Sequence, residues 1–409
     1  MSVRSGGPHR ILMLAPQPVL QPRGTPMSVY HRLRALSALG YSVDLVTYPL
    51  GESISVPNVR VLRVWRPWGL KQIKIGPSAP KLLLDAFVAL RALACLLRRR
   101  YAAIHSHEEA VFIAAVYAKL FRIPHLYDMH SSLPQQLENW KQGYASAVRG
   151  LASHLERWAI RRSDVLITIC PALADHVKAI IPTRPQVMIE NVATLDAATG
   201  SQDVAALRRR YGVVENPLIV YTGNFEPYQG VELLLSSFAI VHRQVPQARL
   251  MIVGGTPEAI EHQRARLAKQ GERLEESVVF AGTVPPEAVA GYLSAADVLV
   301  SPRVFGTNTP LKIYAYLKAG KPVVATNLAT HTQVLMSQIA FLAPPEPVAF
   351  STALIKVLTD HDAAARVAAA ARALAEREFN DATYQARVAQ AYWLLLGVKR
   401  QPSTERRLR

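Results

Sequence analysis

Five short stretches of the 409-residue chain carry residue types suited to chemistry. The first sets His105 two residues before His107 and follows them with Glu108 and Glu109. Residues two apart on a strand share a face, so the two imidazoles stand together. A metal ion would need a third ligand, which Glu108 or Glu109 offers, but the spacing matches no standard zinc motif. The second is Tyr127-Asp128-Met129-His130-Ser131-Ser132, where a strand runs into a polar loop. An imidazole beside a carboxylate at a strand end suits polar contact with a substrate, and a purely structural histidine would read the same way. The third is Ser301–Lys312 (SPRVFGTNTPLK). Here Thr309 reads as an N-cap and Pro310 as the first helical residue. The N–H groups of Leu311 and Lys312 would then face an anion, a diphosphate for example, with charge added by Lys312 and Arg303. The fourth is a pair of glycine turns, Gly223–Gly230 and Gly254-Gly255, where backbone can approach a ligand closely. The fifth is Gly24-Thr25, at the start of a helix after the loop Ala15–Thr25. That loop lacks GxGxxG, which argues against a nicotinamide dinucleotide. Asp360-His361-Asp362 has the form of a metal-binding DxD, but it joins two amphipathic helices, so capping explains it better.

These stretches do chemistry only if strands deliver them to a common edge. Short β-branched runs alternate with longer helical ones, the mark of parallel βαβ architecture. Ile11–Leu14, Val43–Thr47, Ala103–Ser106, His125–Asp128 and Val165–Ile169 read as buried strands. Met27–Ala38 reads as a helix closed by Gly40, and Leu82–Leu97 as another. The pattern restarts with Leu218–Tyr221, Leu250–Val253, Val278–Phe280, Val298–Val300, Val323–Ala325 and Phe341–Leu342, with helices at Val231–Val241, Leu311–Lys318 and Val348–Leu358. Ala363–Phe379 and Asp381–Leu396 read as long terminal helices. The polar stretch after Asn191 predicts a linker. The expected organisation is a domain over 1–195, a second over 196–380, a helix over 381–397 packing back on the first, and a basic tail over 398–409. Two doubly wound parallel sheets with strand C-termini on a shared cleft are the expected α/β architecture.

Charge is unevenly placed. The chain carries +17, and residues 1–195 hold 24 lysines and arginines against 11 acidic residues, whereas 196–397 hold 18 of each. Such asymmetry suits a polyanionic surface, and a solvated surface without a partner has the same composition. Aromatics are only 7% of the chain, few for the stacking platforms that nucleic-acid binding needs. Arg63-Val64-Trp65-Arg66-Pro67-Trp68 and Arg98-Arg99-Arg100 point instead to anionic lipid headgroups or a lipid-linked sugar. Half the residues are hydrophobic, which excludes a disordered chain. Cys95 and Cys170 are too few for a disulfide framework or a zinc site. No signal-peptide layout or spanning segment is read, so a cytoplasmic protein, peripheral at the inner face of a membrane, is expected.

Taken together, the motifs resemble the family 4 retaining glycosyltransferases, whose fold is GT-B, two Rossmann-like domains. The most specific pieces are Gly223–Gly230 (GNFEPYQG), Ala281-Gly282-Thr283-Val284, Ala296-Asp297-Val298 and Thr309–Thr326 (TPLKIYAYLKAGKPVVAT). The resemblance implies transfer of a sugar, with retention and without a metal or other cofactor, from a nucleotide-sugar to a glycan or lipid-linked acceptor. It places His130, Asp128 and Lys312 at the reacting sugar and phosphates. Gly24, Gly223, Asn224, Phe225, Gln229, Gly255, Val284, Arg303, Asn308, Thr309, Pro310, Leu311 and Ala315 fall on the donor side; Arg23, Thr25, His107 and Ser131 fall on the acceptor side. The sequence departs from the family where many members carry an Arg and a Lys, here Asn224 and Gln229. It departs again at Thr307 and Ala315, where most carry glutamates. Alanine accepts no hydrogen bond from a ribose, a loss of about 1.5–3 kcal/mol. A catalytically silent GT-B protein at a membrane surface and a sugar-nucleotide epimerase are the alternatives.

Overall fold

The computed structural model describes residues 9–20, 24–70, 73, 78–134, 146–190, 204–269 and 274–397. The linker expected after Asn191, the tail expected over 398–409 and Arg23 lie outside them. The described residues fall into two compact units, one comprising 9–190 with 381–397, the other 204–380.

In the first unit the chain runs β1 (Arg10–Ala15), α1 (Gly24–Ala38), β2 (Ser42–Thr47), β3 (Val59–Arg63), α2 (Ala79–Arg98), β4 (Ala103–His107), α3 (Ala110–Phe121), β5 (His125–Met129), α4 (Ser146–Arg162), β6 (Val165–Thr168), α5 (Pro171–Ile180) and β7 (Gln186–Met188). The second unit runs α6 (Val204–Arg210), β8 (Leu218–Thr222), α7 (Val231–Gln244), β9 (Arg249–Val253), α8 (Pro257–Lys269), β10 (Val278–Gly282), α9 (Val289–Ala295), β11 (Val298–Ser301), α10 (Leu311–Ala319), β12 (Val323–Thr326), α11 (Ala329–Thr332), β13 (Phe341–Ala343), α12 (Pro347–Thr359) and α13 (His361–Glu378). The closing helix α14 (Asp381–Leu396) belongs to the first unit.

Both sheets are wholly parallel, ordered β3-β2-β1-β4-β5-β6-β7 and β10-β9-β8-β11-β12-β13. Each reverses its order once, between β1 and β4 and between β8 and β11. At such a point the flanking helices leave on opposite faces, and a crevice opens beyond the strand C-termini. The strands are apolar on both faces because helices cover both sides: Ile11–Leu14 and Leu218–Tyr221 are fully buried. The second unit's sheet lies between two apolar clusters, one built on Leu218, Val220 and Ile313, the other on Ile219, Tyr221 and Phe238.

All eleven strands anticipated from sequence are present. β3 and β7 are additional. Both are short, and β3 exposes Arg60 and half-buries the rest, so its composition carries little strand signal. Its role is electrostatic: Arg60 donates to the fully buried Asp44 of β2 at 3.0 and 2.7 Å, and Tyr101 adds a third hydrogen bond at 2.7 Å. Asp360 caps α13 by accepting from the Ala363 N–H at 3.0 Å, in keeping with the capping reading of the DxD segment.

α14 is seated by Tyr384, Val388, Ala391 and Tyr392, all buried, and by Arg387 donating to Glu190 at 2.9 Å. Val388 is fully enclosed. Val388→Asp would bury a carboxylate with no partner, so chemical denaturation is expected to show a loss of at least about 3 kcal/mol.

Candidate functional site

The first unit's chemistry sits at the ends of β4 and β5. In register His107 lies opposite Asp128. Since side chains on a strand alternate in direction, His105, His107, Asp128 and His130 collect on one face. His105 and His107 stack with centroids 4.6 Å apart, and His107 Nδ1 lies 3.1 Å from His130 Nε2. Asp128 is the hub: its oxygens lie 3.4 Å from His105, 3.7 Å from His107 and 3.3 Å from His130. Arg32 of α1 donates to Asp128 Oδ2 at 2.9 Å, and both side chains are buried. α14 closes the cluster. Tyr392 and His105 Nδ1 share a 2.7 Å hydrogen bond, and the Tyr384 ring lies 5.1 Å from the Arg32 guanidinium.

Burial alone would protonate Asp128, but Arg32 and the surrounding imidazoles hold its carboxyl well below the usual range. Burial pushes His130 down to about 4, against the opposing pull of Asp128, and lowers His107 well below its ordinary value. The histidines therefore stand neutral at physiological pH, and the one charge beside them is the Arg32–Asp128 pair.

The metal reading changes its membership. The third group near His105 and His107 is Asp128, with ligand atoms within 4.8 Å of one another, rather than Glu108 or Glu109. A cation there would sit against the Arg32 guanidinium, so the donor set does not fit one well. Glu109 pairs instead with Lys81. Glu108, on a backbone with φ of +50°, accepts from Ser131 at 3.0 Å and from Thr25 at 3.4 Å. Burial, with Glu109 nearby, pushes its carboxyl up to about 8. Thr25 and Ser131, both expected on the acceptor side, thus converge on a carboxyl considered in the sequence only as a metal ligand.

In the second unit the loop after β11 is pinned from several directions. The Arg303 guanidinium donates to the Asn308 carbonyl at 2.7 Å and to Thr330 at 2.8 Å. Thr326 and Gln333 donate to the carbonyls of Arg303 and Thr307. α10 then starts differently from the expectation. Pro310, with extended φ and ψ, is the N-cap, and Thr309 Oγ1 is buried without a hydrogen-bond partner. Proline supplies the backbone turn without a donor, so the cap is made by conformation and not by the threonine hydroxyl. The Lys312 ammonium is not in solvent: it is buried, without a hydrogen-bond partner, 4.0 Å above the Tyr221 ring. Burial and the neighbouring Arg303 push its pKa well below the ordinary lysine value. The Arg303 guanidinium in turn lies 4.8 Å from the Tyr228 ring.

Two glycines make this closeness possible. A Cβ on Gly223 would come within 3.0 Å of Lys312 Nζ and 2.8 Å of the Tyr221 hydroxyl, while one on Gly230 would strike the Pro302 carbonyl at 1.9 Å. Phe225 covers Gly255. Asn224 is exposed and its carbonyl accepts from the Tyr221 hydroxyl, and Gln229 ends a turn of 3-10 helix with its Oε1 buried. Val284 and Ala315 pack against the core around Ile313. Leu311 and Lys312 stand at the free end of α10, Asn308 and Arg303 beside it, and Gly24 at the start of α1. Sequence reading missed Arg32, Tyr221 and Tyr392. None lies in a motif, and only a buried partner reveals them.

The pH dependence has a definite sign. His130, His125 and His331 are lowered by burial from 6.5 to about 4, 3 and 3, so the unfolded chain takes up protons first as pH falls. Stability is then lost between about pH 6.5 and 4, on the order of 3 kcal/mol for His130. Glu108 acts oppositely, gaining stability as pH falls from 8 towards 4.5, but three imidazoles outweigh one carboxyl. The thermal midpoint is expected to drop over that interval, less steeply in His130→Gln. A flat profile would mean that these imidazoles are already charged in the folded protein.

With this geometry in place, two family models match: "Glycosyl transferase 4-like domain" over residues 23–191 and "Glycosyl transferases group 1" over 216–360. The glycogen synthase of Mycobacterium tuberculosis H37Rv is 25% identical over 414 residues, covering 96% of both chains. Among solved structures, sucrose-phosphate synthase from Thermosynechococcus elongatus superposes with a TM-score of 0.75 at 21% identity, covering 95% of this chain and 99% of that one. Anabaena Alr3699/HepE in complex with UDP and glucose gives 0.71 at 19%, covering 94% and 99%. The two models together span both units, and the chain belongs to the family 4 glycosyltransferases of GT-B fold.

Proposed function

We propose that this glycosyltransferase takes a sugar from a nucleoside-diphosphate donor held by the second unit and passes it, with retention and without a metal, to a glycan or lipid-linked acceptor. The observation that carries the reading is the pair Arg303 and Lys312. Lys312 lies in the first turn of α10 and Arg303 in the loop that leads to it, and neither makes an ion pair among the described residues. An enclosed ammonium with no acid beside it is costly, and a diphosphate would relieve that cost while lying on the free N–H groups of the helix end. Solved relatives holding UDP or UDP-glucose support a nucleotide donor.

In the step itself the bond between the anomeric carbon and the phosphate oxygen breaks, and negative charge moves onto the departing diphosphate. Lys312, Arg303 and the α10 dipole are preorganised to receive it. The acceptor oxygen bonds to the anomeric carbon on the face the phosphate leaves, and its proton passes to the departing phosphate oxygen. His130, kept neutral by burial and oriented by Asp128, offers a hydrogen bond to a sugar hydroxyl. Thr25, Ser131, His107 and Glu108 are the first unit's polar groups for an acceptor. Asn224 and Gln229 bring no charge to the phosphates, so Lys312 and Arg303 carry that task alone. Ala315, which offers a ribose no acceptor, favours one rival, a catalytically silent GT-B protein at a membrane surface.

A thermal-shift screen with UDP, GDP, ADP and their sugar conjugates tests the donor. At 100 times its Kd a bound nucleotide stabilises the fold by about 2.7 kcal/mol. Lys312→Met is expected to weaken that binding about ten- to a hundredfold, and His130→Ala to slow transfer while leaving the nucleotide shift in place. Silence with all three bases overturns the nucleotide donor. A shift without transfer identifies the silent binder, and turnover of the nucleotide-sugar alone identifies an epimerase.

A further inference from the structure

α2 is apolar on the wrong side as well as the right one. Its inner face, Leu84, Val88, Ala92, Cys95 and Leu96, is buried in the first unit's core. On the outer face Leu82 is 72% exposed, Leu90 62% and Leu97 71%, with Leu83 about half exposed. At 3.6 residues per turn these four leucines fall within an arc of about 100°, so they form one stripe along the helix and not a scatter. A helix that is apolar all round is normally covered. The stripe is extended by Trp65, 65% exposed, which meets Phe87 of α2 edge-on at 5.6 Å, while Trp68 stands fully exposed in the same loop.

The charges beside the stripe are all of one sign. Arg91, Arg98, Arg99 and Arg100 are exposed. The helix's single acidic residue, Asp85, is turned inward to accept from Tyr48 at 2.5 Å. Lys81 is paired with Glu109. No described helix is long and apolar enough to cross a membrane. We propose that the outer face of α2, with Trp65 and Trp68, is a docking surface for an anionic lipid bilayer, the leucines and tryptophans entering the interface and the arginines meeting the headgroups. Charge decides between occupants. A second copy of the chain would bring the same arginines to the interface, with no acidic residue among the described residues of the outer face of α2 to answer them. An acidic headgroup layer answers them directly.

Cosedimentation with vesicles tests the proposal without any donor or acceptor, so its result is separate from that of the transfer assay. The probes are vesicles of phosphatidylcholine alone and with about 30% phosphatidylglycerol. The protein is expected to bind the acidic vesicles at low salt and far less to the neutral ones. The variant combining Leu82→Glu with Leu90→Glu should lose binding and keep the wild-type thermal midpoint, because both positions face solvent. Arg98→Gln with Arg99→Gln and Arg100→Gln should weaken it about tenfold or more. Failure of the wild type to bind acidic vesicles at low salt would overturn the proposal, as would undiminished binding by the leucine variant. Self-association that the leucine variant abolishes, with no vesicle binding, would assign the face to a second copy instead.

Discussion

A full negative charge held out of water is the constraint on which the first unit turns. Asp128 lies inside the protein with no solvent exposure, a position that a lone carboxylate could hold only by taking up a proton. Arg32 prevents that, and the pair then dictates what may surround it. α1 must start close enough to β5 for Arg32 to reach. β4 must present His107 in register with Asp128, and His105 two residues before it on the same face. α14 must return to cover the cluster with Tyr384 and Tyr392. Buried ion pairs seldom add net stability, and breaking one leaves a stranded charge that costs several kcal/mol. The pair thus works as a specification: four elements from distant parts of the chain have one arrangement in which that charge is met.

The second unit treats charge in the opposite way. Lys312 and Arg303 are enclosed, yet each lies over an aromatic ring rather than against a carboxylate. Ring faces attract a cation through their quadrupole without neutralising it. Tyr221 and Tyr228 therefore hold the two side chains in place while leaving their charge for another group. Gly223 and Gly230 belong to the same device, since a Cβ at either would displace Lys312 or the Pro302 backbone. One unit completes its electrostatics internally, and the other leaves its own open.

Much of the fold was legible in the sequence because parallel strands covered on both faces are continuous apolar runs, and those runs stand out. β3 escaped notice because none of its five residues is buried and two are arginines, and its place at the sheet edge depends on Asp44, a residue in another strand. The α10 start was legible in position and misread in mechanism: Thr309 has the right type for a cap, but the local conformation is set by Pro310. The candidate site was legible where it lies on strand ends, as with His105, His107, Asp128 and His130. Arg32, Tyr392 and Glu108 were not, since their importance lies in partners 23 to 287 positions away, and nothing in local spacing encodes such a pairing. Lys312 illustrates a subtler limit. Its type and place suggested a cation facing an anion at a helix end, and only packing shows it enclosed over Tyr221.

The departures at Asn224, Gln229 and Ala315 then take on a structural meaning. With neutral residues at Asn224 and Gln229, adding an arginine at either position would bring a third cation towards Lys312 and Arg303, and their mutual repulsion would have to be offset by a ligand of higher negative charge. Two enclosed cations at a helix N-terminus are matched to a diphosphate, which carries two to three negative charges. Alanine at 315 changes a different contact. It packs against the core around Ile313 and offers no acceptor to a ribose hydroxyl. On the proposed reading, phosphate recognition would be concentrated at Arg303 and the first turn of α10, the place where enclosed cations and free helix N–H groups meet.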